Sequence, residues 1–249
     1  MTRIPEGYTP APDLLKDRVI LVTGAGSGIG AVAASTFAKY GATVVMLGRG
    51  MRKLEAVYDQ IEADNGPQPA IYPLNLEKAT PQQYEEMATK LGEEFGRLDG
   101  ILHNAAALGT LTPLGQYSLE QWSKVMQTNL NAPFLITRVL LGLMKNSADA
   151  SVIFTSDRVG RQGRAYWGAY GVSKAANENM MEIWAAELEA NTPIRVNSLD
   201  PGAVYTDMRA RAYPGEDPNT LPRPADIMLP YLYLMGPDSK GITGQRFEV

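Results

Sequence analysis

Between a β-branched run, Val19-Ile20-Leu21-Val22, and an alanine-rich stretch that ends at Tyr40 lies Thr23-Gly24-Ala25-Gly26-Ser27-Gly28-Ile29-Gly30. Glycines packed this densely at a strand-to-helix junction constrain the chain more than any other segment. They admit a backbone that reverses within a few residues and presents bare N–H groups to an anion. Gly24 permits the tight turn, Gly28 lets the backbone approach a pyrophosphate, and Gly30 allows helix and strand to pack closely. The spacing Thr-Gly-x-x-x-Gly-x-Gly differs from the ordinary dinucleotide fingerprint, and taken alone it also fits a glycine-rich turn in an unrelated α/β protein.

Downstream, short apolar runs alternate with longer amphipathic stretches, the rhythm of repeated βα units around a parallel sheet. Strands are expected near Val19 to Thr23, Thr43 to Leu47, Ala70 to Leu74, Gly100 to His103, Ser151 to Thr155, Arg195 to Leu199 and Gln245 to Val249. Two capping-box patterns mark helix starts, Thr80-Pro81-Gln82-Gln83 and Ser118-Leu119-Glu120-Gln121, the first with proline where its missing N–H costs nothing. The 249 residues, 45% hydrophobic and 20% charged, supply one large core without a visible linker. A single α/β domain over 1–249 is therefore expected, with 1–17 as an N-terminal extension. Met208 to Ala225, rich in proline, arginine and polar residues, breaks the rhythm and is a candidate substrate lid.

The formal net charge of −4 argues against general nucleic-acid binding. There is no cysteine and one histidine, His103, which excludes disulfides and any Cys/His-built metal site but leaves a carboxylate-held Mg²⁺ open. Residues 1–17 lack the apolar core of a signal segment, and no apolar run approaches the ~18 residues of a membrane span. A cytoplasmic protein with no membrane partner is expected.

Tyr170 and Lys174, in Tyr170-Gly171-Val172-Ser173-Lys174, share one face if they lie on a helix, where the ammonium would draw the phenol pKa down from about 10 toward neutrality. A phenol so tuned protonates a carbonyl oxygen or deprotonates an alcohol. After the second strand, Gly48 and Arg49 stand where the adenosine ribose of a dinucleotide would lie. Arginine without a neighbouring carboxylate suits a 2′-phosphate, which favours NADP(H) and leaves NAD(H) as the lesser possibility. A solvated arginine is the plain alternative.

Thr23 to Gly30, Asn104-Ala105-Ala106, Asn129, Tyr170 to Lys174 and Pro201-Gly202 occur in this order, and with them the chain resembles the short-chain dehydrogenase/reductase family over nearly its whole length. Gly160-Arg161-Gln162-Gly163-Arg164-Ala165 and Pro224-Ala225-Asp226-Ile227-Met228 resemble a YciK-type bacterial subgroup of oxidoreductases. The resemblance implies a Rossmann-type three-layer sandwich, a doubly wound parallel sheet of about seven strands, and NAD(P) as co-substrate. Hydride would pass between nicotinamide C4 and a carbonyl or alcohol of a small molecule. It further implies Tyr170 as acid/base, Lys174 as the cation that tunes it and holds the nicotinamide ribose, and Asn129 as holder of a water through its backbone, with Asn131 an equally good candidate on local grounds. Thr23, Gly24, Gly26, Ser27, Gly28, Ile29 and Gly30 would hold the pyrophosphate. Asn75, Leu76, Asn104, Ala105 and Ala106 would flank adenine and ribose, and Pro201, Gly202, Val204 and Thr206 would pass beneath the nicotinamide. Family members pair through helices like those after Ser118 and around Tyr170, which implies a homodimer or homotetramer.

The departure is at residue 157. The family places a serine thirteen residues before the tyrosine; here that residue is Asp157, with Ser156 one earlier. The serine donates a hydrogen bond to the reacting oxygen, and loss of one such donor costs on the order of 10²- to 10³-fold in rate. An ionised carboxylate about 4 Å from a phenolate repels it by roughly 4 kcal/mol at an effective dielectric near 20. Four outcomes are open: Ser156 takes over by a one-residue shift, Asp157 serves as a protonated donor, Asp157 pairs with Arg158, Arg161 or Arg164 and points away, or the site binds cofactor with little turnover. The last would make the chain a cofactor-binding regulatory or scaffold protein. His103, Ala106 and Asp200 are milder departures.

Overall fold

The computed structural model describes residues 1–249. Strands β1 (Val19–Thr23), β2 (Thr43–Gly48), β3 (Ala70–Pro73), β4 (Gly100–His103), β5 (Ala150–Thr155), β6 (Ile194–Asp200) and β7 (Arg246–Glu248) form one parallel sheet in the order β3-β2-β1-β4-β5-β6-β7. Sequence and structure agree on every strand, with ends differing by at most one residue. β1 is buried along its whole length, because a parallel sheet is covered on both faces and its strands read as continuous apolar runs.

Helices α1 (Gly28–Lys39), α2 (Met51–Ala63) and α8 (Met228–Met235) cover one face; α3 (Pro81–Phe95), α5 (Ala132–Lys145) and α6 (Gly168–Glu189) cover the other. Alternation along β1 sends Ile20 and Val22 into the first core, with Phe37, Leu54 and Tyr231, and Val19 and Leu21 into the second, with Tyr84, Ile136 and Met181. The result is the three-layer sandwich. α4 (Leu119–Met126) runs into α5 through a π-helical turn at Gln127–Asn131, and α7 (Asp207–Ala212) opens the irregular stretch. No helix is long and apolar enough to cross a membrane.

Local signals behave as their chemistry requires. Thr80 caps α3 with a complete capping box, whereas Ser118 accepts from the Gln121 N–H at 3.4 Å without the reciprocal bond, half of the expected motif. Residues 1–17 are more than an appendage. Thr2 bridges Phe247 on β7, and Leu15 is fully buried in the first core.

The order of strands reverses between β1 and β4, so the connections leaving their C-terminal ends diverge and open a crevice there. Because the sheet is parallel, the C-terminal ends of all seven strands lie along one edge. Thr23, Gly48, His103, Thr155 and Asp200 end their strands at that edge.

Candidate functional site

The glycine turn leaves β1 with Gly24 at φ +70° and enters α1 with Gly28 at φ +57°, backbone that a side chain would strain. The N–H groups of Gly24 and Ala25 both donate to the Leu47 carbonyl, at 2.8 and 3.2 Å, which clamps the turn to β2. A Cβ on Gly24 would come within 2.9 Å of the Ala105 backbone, and one on Gly30 would strike the Gly24 carbonyl and the Asn104 side chain. A Cβ on Gly28 would face the Thr206 methyl at 3.4 Å, so the loop after β6 lies over the turn. Ser27, the N-cap of α1, is extended and makes no side-chain cap. The first-turn N–H groups of α1 are thereby left for an anion, and the cradle fits a pyrophosphate.

Thr23 fastens the next connection. Its Oγ1 accepts from the N–H groups of Asn104 and Ala105, both at 3.0 Å, holding Asn104, Ala105 and Ala106 beside the turn. Asn75 spends its Oδ1 on the Glu77 N–H at 3.1 Å, with Leu76 buried behind it. At the end of β2, Arg49 is exposed and makes no hydrogen bond or ion pair. Lys53 of α2 stands over the turn, its Cβ 3.1 Å from where a Gly26 Cβ would lie; the sequence reading missed it, because only the fold brings α2 onto the glycine turn. Pro201 and Val204 are buried, and Thr206 caps α7 by accepting from the Arg209 N–H at 3.2 Å.

The second group of residues gathers beyond β5. Asp157 continues in extended geometry, φ −160° and ψ 146°, so Ser156 and Asp157 point to opposite sides. Ser156 turns inward and hydrogen-bonds buried Glu178 of α6, which also accepts from Ser198 at 2.9 Å. The one-residue shift that would bring Ser156 to Tyr170 is thus not what the chain adopts. Asp157 accepts from the Val159 N–H at 3.0 Å through Oδ1 and from the Tyr170 hydroxyl at 3.0 Å through Oδ2. The arginines expected to draw it away are engaged elsewhere or exposed: Arg161 on Asp200 at 2.7 Å, Arg164 on the Tyr213 hydroxyl at 2.7 Å. Gly160 keeps the Asp157 turn against α6, where a Cβ would lie 2.8 Å from the Lys174 backbone.

Tyr170 and Lys174 share one face of α6 and both are buried. Lys174 Nζ donates to the Thr155 carbonyl at 2.6 Å and lies 5.6 Å from the Tyr170 ring centroid. The phenol is nonetheless held well above its ordinary pKa, by burial first, then by the charge and hydrogen bond of Asp157, then by Asp200. The sequence-based expectation of a phenol drawn toward neutrality is therefore corrected: desolvation and two carboxylates outweigh one ammonium. Burial also lowers Lys174, opposed by Asp157, Asp200 and Glu178.

Asn129, within the π-helical turn, is buried. Its side chain bonds both the N–H and the carbonyl of Ala107, at 2.7 and 3.0 Å, and Ser173 Oγ at 3.0 Å. Its own carbonyl accepts from Asn177 Nδ2 at 2.8 Å. Asn131 instead faces solvent, bonded to Gln127, which separates the two asparagines the sequence left equivalent. His103 is neutral, its pKa pushed by burial to about 3, with Nε2 2.8 Å from Thr137 Oγ1.

Residues 18–217 match the short chain dehydrogenase family. The chain belongs to the short-chain dehydrogenase family. This short-chain dehydrogenase is 48% identical over 241 residues to YciK, an uncharacterized oxidoreductase of Escherichia coli, covering 97% of the chain and 95% of YciK. A short chain dehydrogenase structure from Pseudomonas syringae superposes with a TM-score of 0.96 at 56% identity, covering 99% of each chain. Another, from Shigella flexneri in complex with NADP, gives a TM-score of 0.93 at 48% identity, over 96% of this chain and 99% of that one. The short-chain dehydrogenase is thus an oxidoreductase by family, of the YciK-like kind.

Tyr170 sits in a small apolar cluster with Leu108, Val159 and Trp167, covered by Met208, Ala212 and Tyr213 from the irregular stretch. Tyr213 packs on Trp167 with centroids 5.8 Å apart. A cavity of about 580 Å³ lies beside this cluster, lined by Arg161, Arg164, Tyr166, Trp167 and Val172 rather than by Tyr170.

Proposed function

We propose that the protein is an NADP(H)-dependent oxidoreductase acting on a carbonyl or alcohol group of a small molecule, with Tyr170 as its acid/base. The observation that carries the reading is the shared edge: the glycine turn follows β1, Arg49 follows β2, and the Asp157–Tyr170–Lys174 group faces the end of β5. NADP(H) is favoured over NAD(H) by exposed Arg49 and neighbouring Lys53, neither of which is paired with a carboxylate, and by the NADP and NADPH complexes of the Shigella flexneri and Escherichia coli relatives.

Thr23, Gly24, Gly26, Ser27, Gly28, Ile29 and Gly30 would hold the pyrophosphate, and Asn75, Leu76, Asn104, Ala105, Ala106, Pro201, Gly202, Val204 and Thr206 would line the rest of the cofactor's length. When bound, the nicotinamide supplies or accepts the hydride. In reduction, the Tyr170 O–H bond breaks as its proton passes to the carbonyl oxygen, leaving a phenolate that Lys174 stabilises; in oxidation the phenolate takes the proton of the alcohol. Asp157 holds the hydroxyl in place through its hydrogen bond while opposing formation of the phenolate. Asn129 fixes the loop after β4 against α6. Residues 208–225 act as a lid, since Met208, Ala212 and Tyr213 exclude water from Tyr170.

The test is titration with NADPH and NADH, followed by nicotinamide absorbance with a panel of aldehydes and ketones. Tighter NADPH binding, and turnover that Tyr170→Phe abolishes without weakening NADPH, is the expected result. NADPH binding with no turnover across the panel would refute the reaction and leave a cofactor-binding protein.

A further inference from the structure

Two carboxylates enter the centre from different strands. Asp157 follows β5, and Asp200 ends β6 directly before Pro201. The Arg161 guanidinium donates to Asp200 Oδ2 at 2.7 Å, while Asp200 Oδ1 accepts from the Gly202 N–H at 2.9 Å. Arg161 closes the short 3₁₀ turn that Asp157 opens, its N–H bonded to the Arg158 carbonyl at 3.0 Å. One ion pair therefore ties the Asp157 turn to the Pro201-Gly202 loop.

The arrangement also apportions charge. Of the three carboxylates acting on Lys174, Glu178 is paired with Arg246 at 3.1 Å and Asp200 with Arg161. Asp157 has no guanidinium; its oxygens are held by the Tyr170 hydroxyl and the Val159 N–H. Arg161 and Asp200 have side chains only 22% and 9% exposed, so water screens their charges weakly.

We propose that Arg161 and Asp200 are a positioning pair for Tyr170: Arg161 offsets part of the charge of Asp200 and anchors the Asp157 turn, so that Asp200 acts on Tyr170 and Lys174 less than an unpaired carboxylate would. The charged groups acting on Tyr170 are Asp157 from the turn and Asp200 from β6, with Arg161 behind Asp200; Lys174 of α6 lies 5.6 Å from the Tyr170 ring and is itself acted on by Glu178, while Arg209 of α7 is acted on by Asp157 and Tyr231 of α8 by Asp200. Without Arg161, Asp200 would compete harder for Lys174 and repel the phenolate more strongly. Without Asp200, the guanidinium would favour the phenolate. The inference rests on Tyr170 being the acid/base group.

The test is the titration of Tyr170 in cofactor-free protein, read as phenolate absorbance against the corresponding Tyr170→Phe protein, with 3-fluorotyrosine incorporated so that the phenols ionise at lower pH. Arg161→Gln should raise the midpoint and Asp200→Asn lower it, each by on the order of one pH unit. The double variant should return near the starting value, a non-additivity expected of contacting charges. Arg161→Lys, which keeps the charge without the fork, should stay near wild type and serves if Arg161→Gln does not fold. Midpoints unmoved in the single variants, or a double variant as displaced as Arg161→Gln alone, would overturn the pair. The readout needs neither cofactor nor substrate. Shifted midpoints in a protein that turns over no carbonyl would sink only the proposed reaction, and unmoved midpoints in an active enzyme would sink only the pair.

Discussion

Replacing Asp157 by asparagine removes a charge while keeping the shape of the side chain. Tyr170 Oη and Asp157 Oδ2 are 3.0 Å apart. Once the phenol ionises, like charges at that separation repel by about 5 kcal/mol at an effective dielectric near 20, equivalent to about four pH units. Side-chain relaxation and water entry reduce the gap, and we expect about half of it, a fall of about two units in the phenol pKa of Asp157→Asn. Alcohol oxidation requires the phenolate, so its rate climbs with pH and levels off above the phenol pKa. The rising limb should therefore move to lower pH by about two units in Asp157→Asn, and the rate at a fixed pH on that limb should increase by about 10²-fold. The assay is the pH dependence of kcat/KM for NADP⁺ reduction, with thermal unfolding of both proteins measured alongside. Asp157→Ser, which supplies a hydroxyl donor to the reacting oxygen, should add rate on top of the shift. A limb that stays in place, or moves to higher pH, would refute the claim that Asp157 opposes the phenolate.

The proposed 2′-phosphate contact of Arg49 is tested directly: Arg49→Gln should weaken NADPH about 10-fold by titration and leave NADH unchanged, and an equal loss for both would remove the 2′-phosphate role. Buried His103, with its folded pKa near 3 against an unfolded value of about 6.5, makes stability fall on acidification. The unfolded chain binds a proton below about pH 6.5 that the folded chain refuses, so stability present above that pH is lost at about 1.4 kcal/mol per unit as pH drops toward 3. His103→Gln should flatten that slope in urea melts at pH 7 and pH 5, and identical slopes would refute the assignment. Phe134, Val172 and Ile183 on α5 and α6 are 41%, 43% and 50% exposed, an apolar face suited to a second copy of the chain. Sedimentation should give a homodimer or homotetramer at micromolar concentration, against the outcome of a 27.1 kDa monomer alone.

What the sequence discloses is what periodicity governs. β1 reads as a strand because all five residues are apolar or β-branched and all are buried, and the turn after it is legible because only glycine tolerates its φ values and close approaches. Tyr170 and Lys174 share a face because a helix repeats that way. The opposition of Asp157 to the phenolate is legible from its place thirteen residues before Tyr170, whereas the share of Asp200, which arrives from β6, and of burial is not, because no local pattern reports either. Strand alternation separates Ser156 from Asp157 only if the chain stays extended past β5, and the backbone at Asp157 does so. Residues 1–17 looked like an extension because isolated leucines carry no period, yet Leu15 enters the core.

The π-helical turn at Gln127–Asn131 makes the length of this stretch as important as its composition. A π-turn carries one residue more than an α-turn, and each helical residue advances the chain by about 100°. Deleting any one residue there while the π-turn persisted would swing α5 by about 100°, taking Ile136, Leu140 and Met144 off the sheet. Alternatively α5 would hold its phase, and Asn129 would lose its grip on Ala107 and Ser173. Point substitutions should therefore be tolerated more readily across this helix than a single codon lost from it, and lineages that drift in sequence here should keep its residue count.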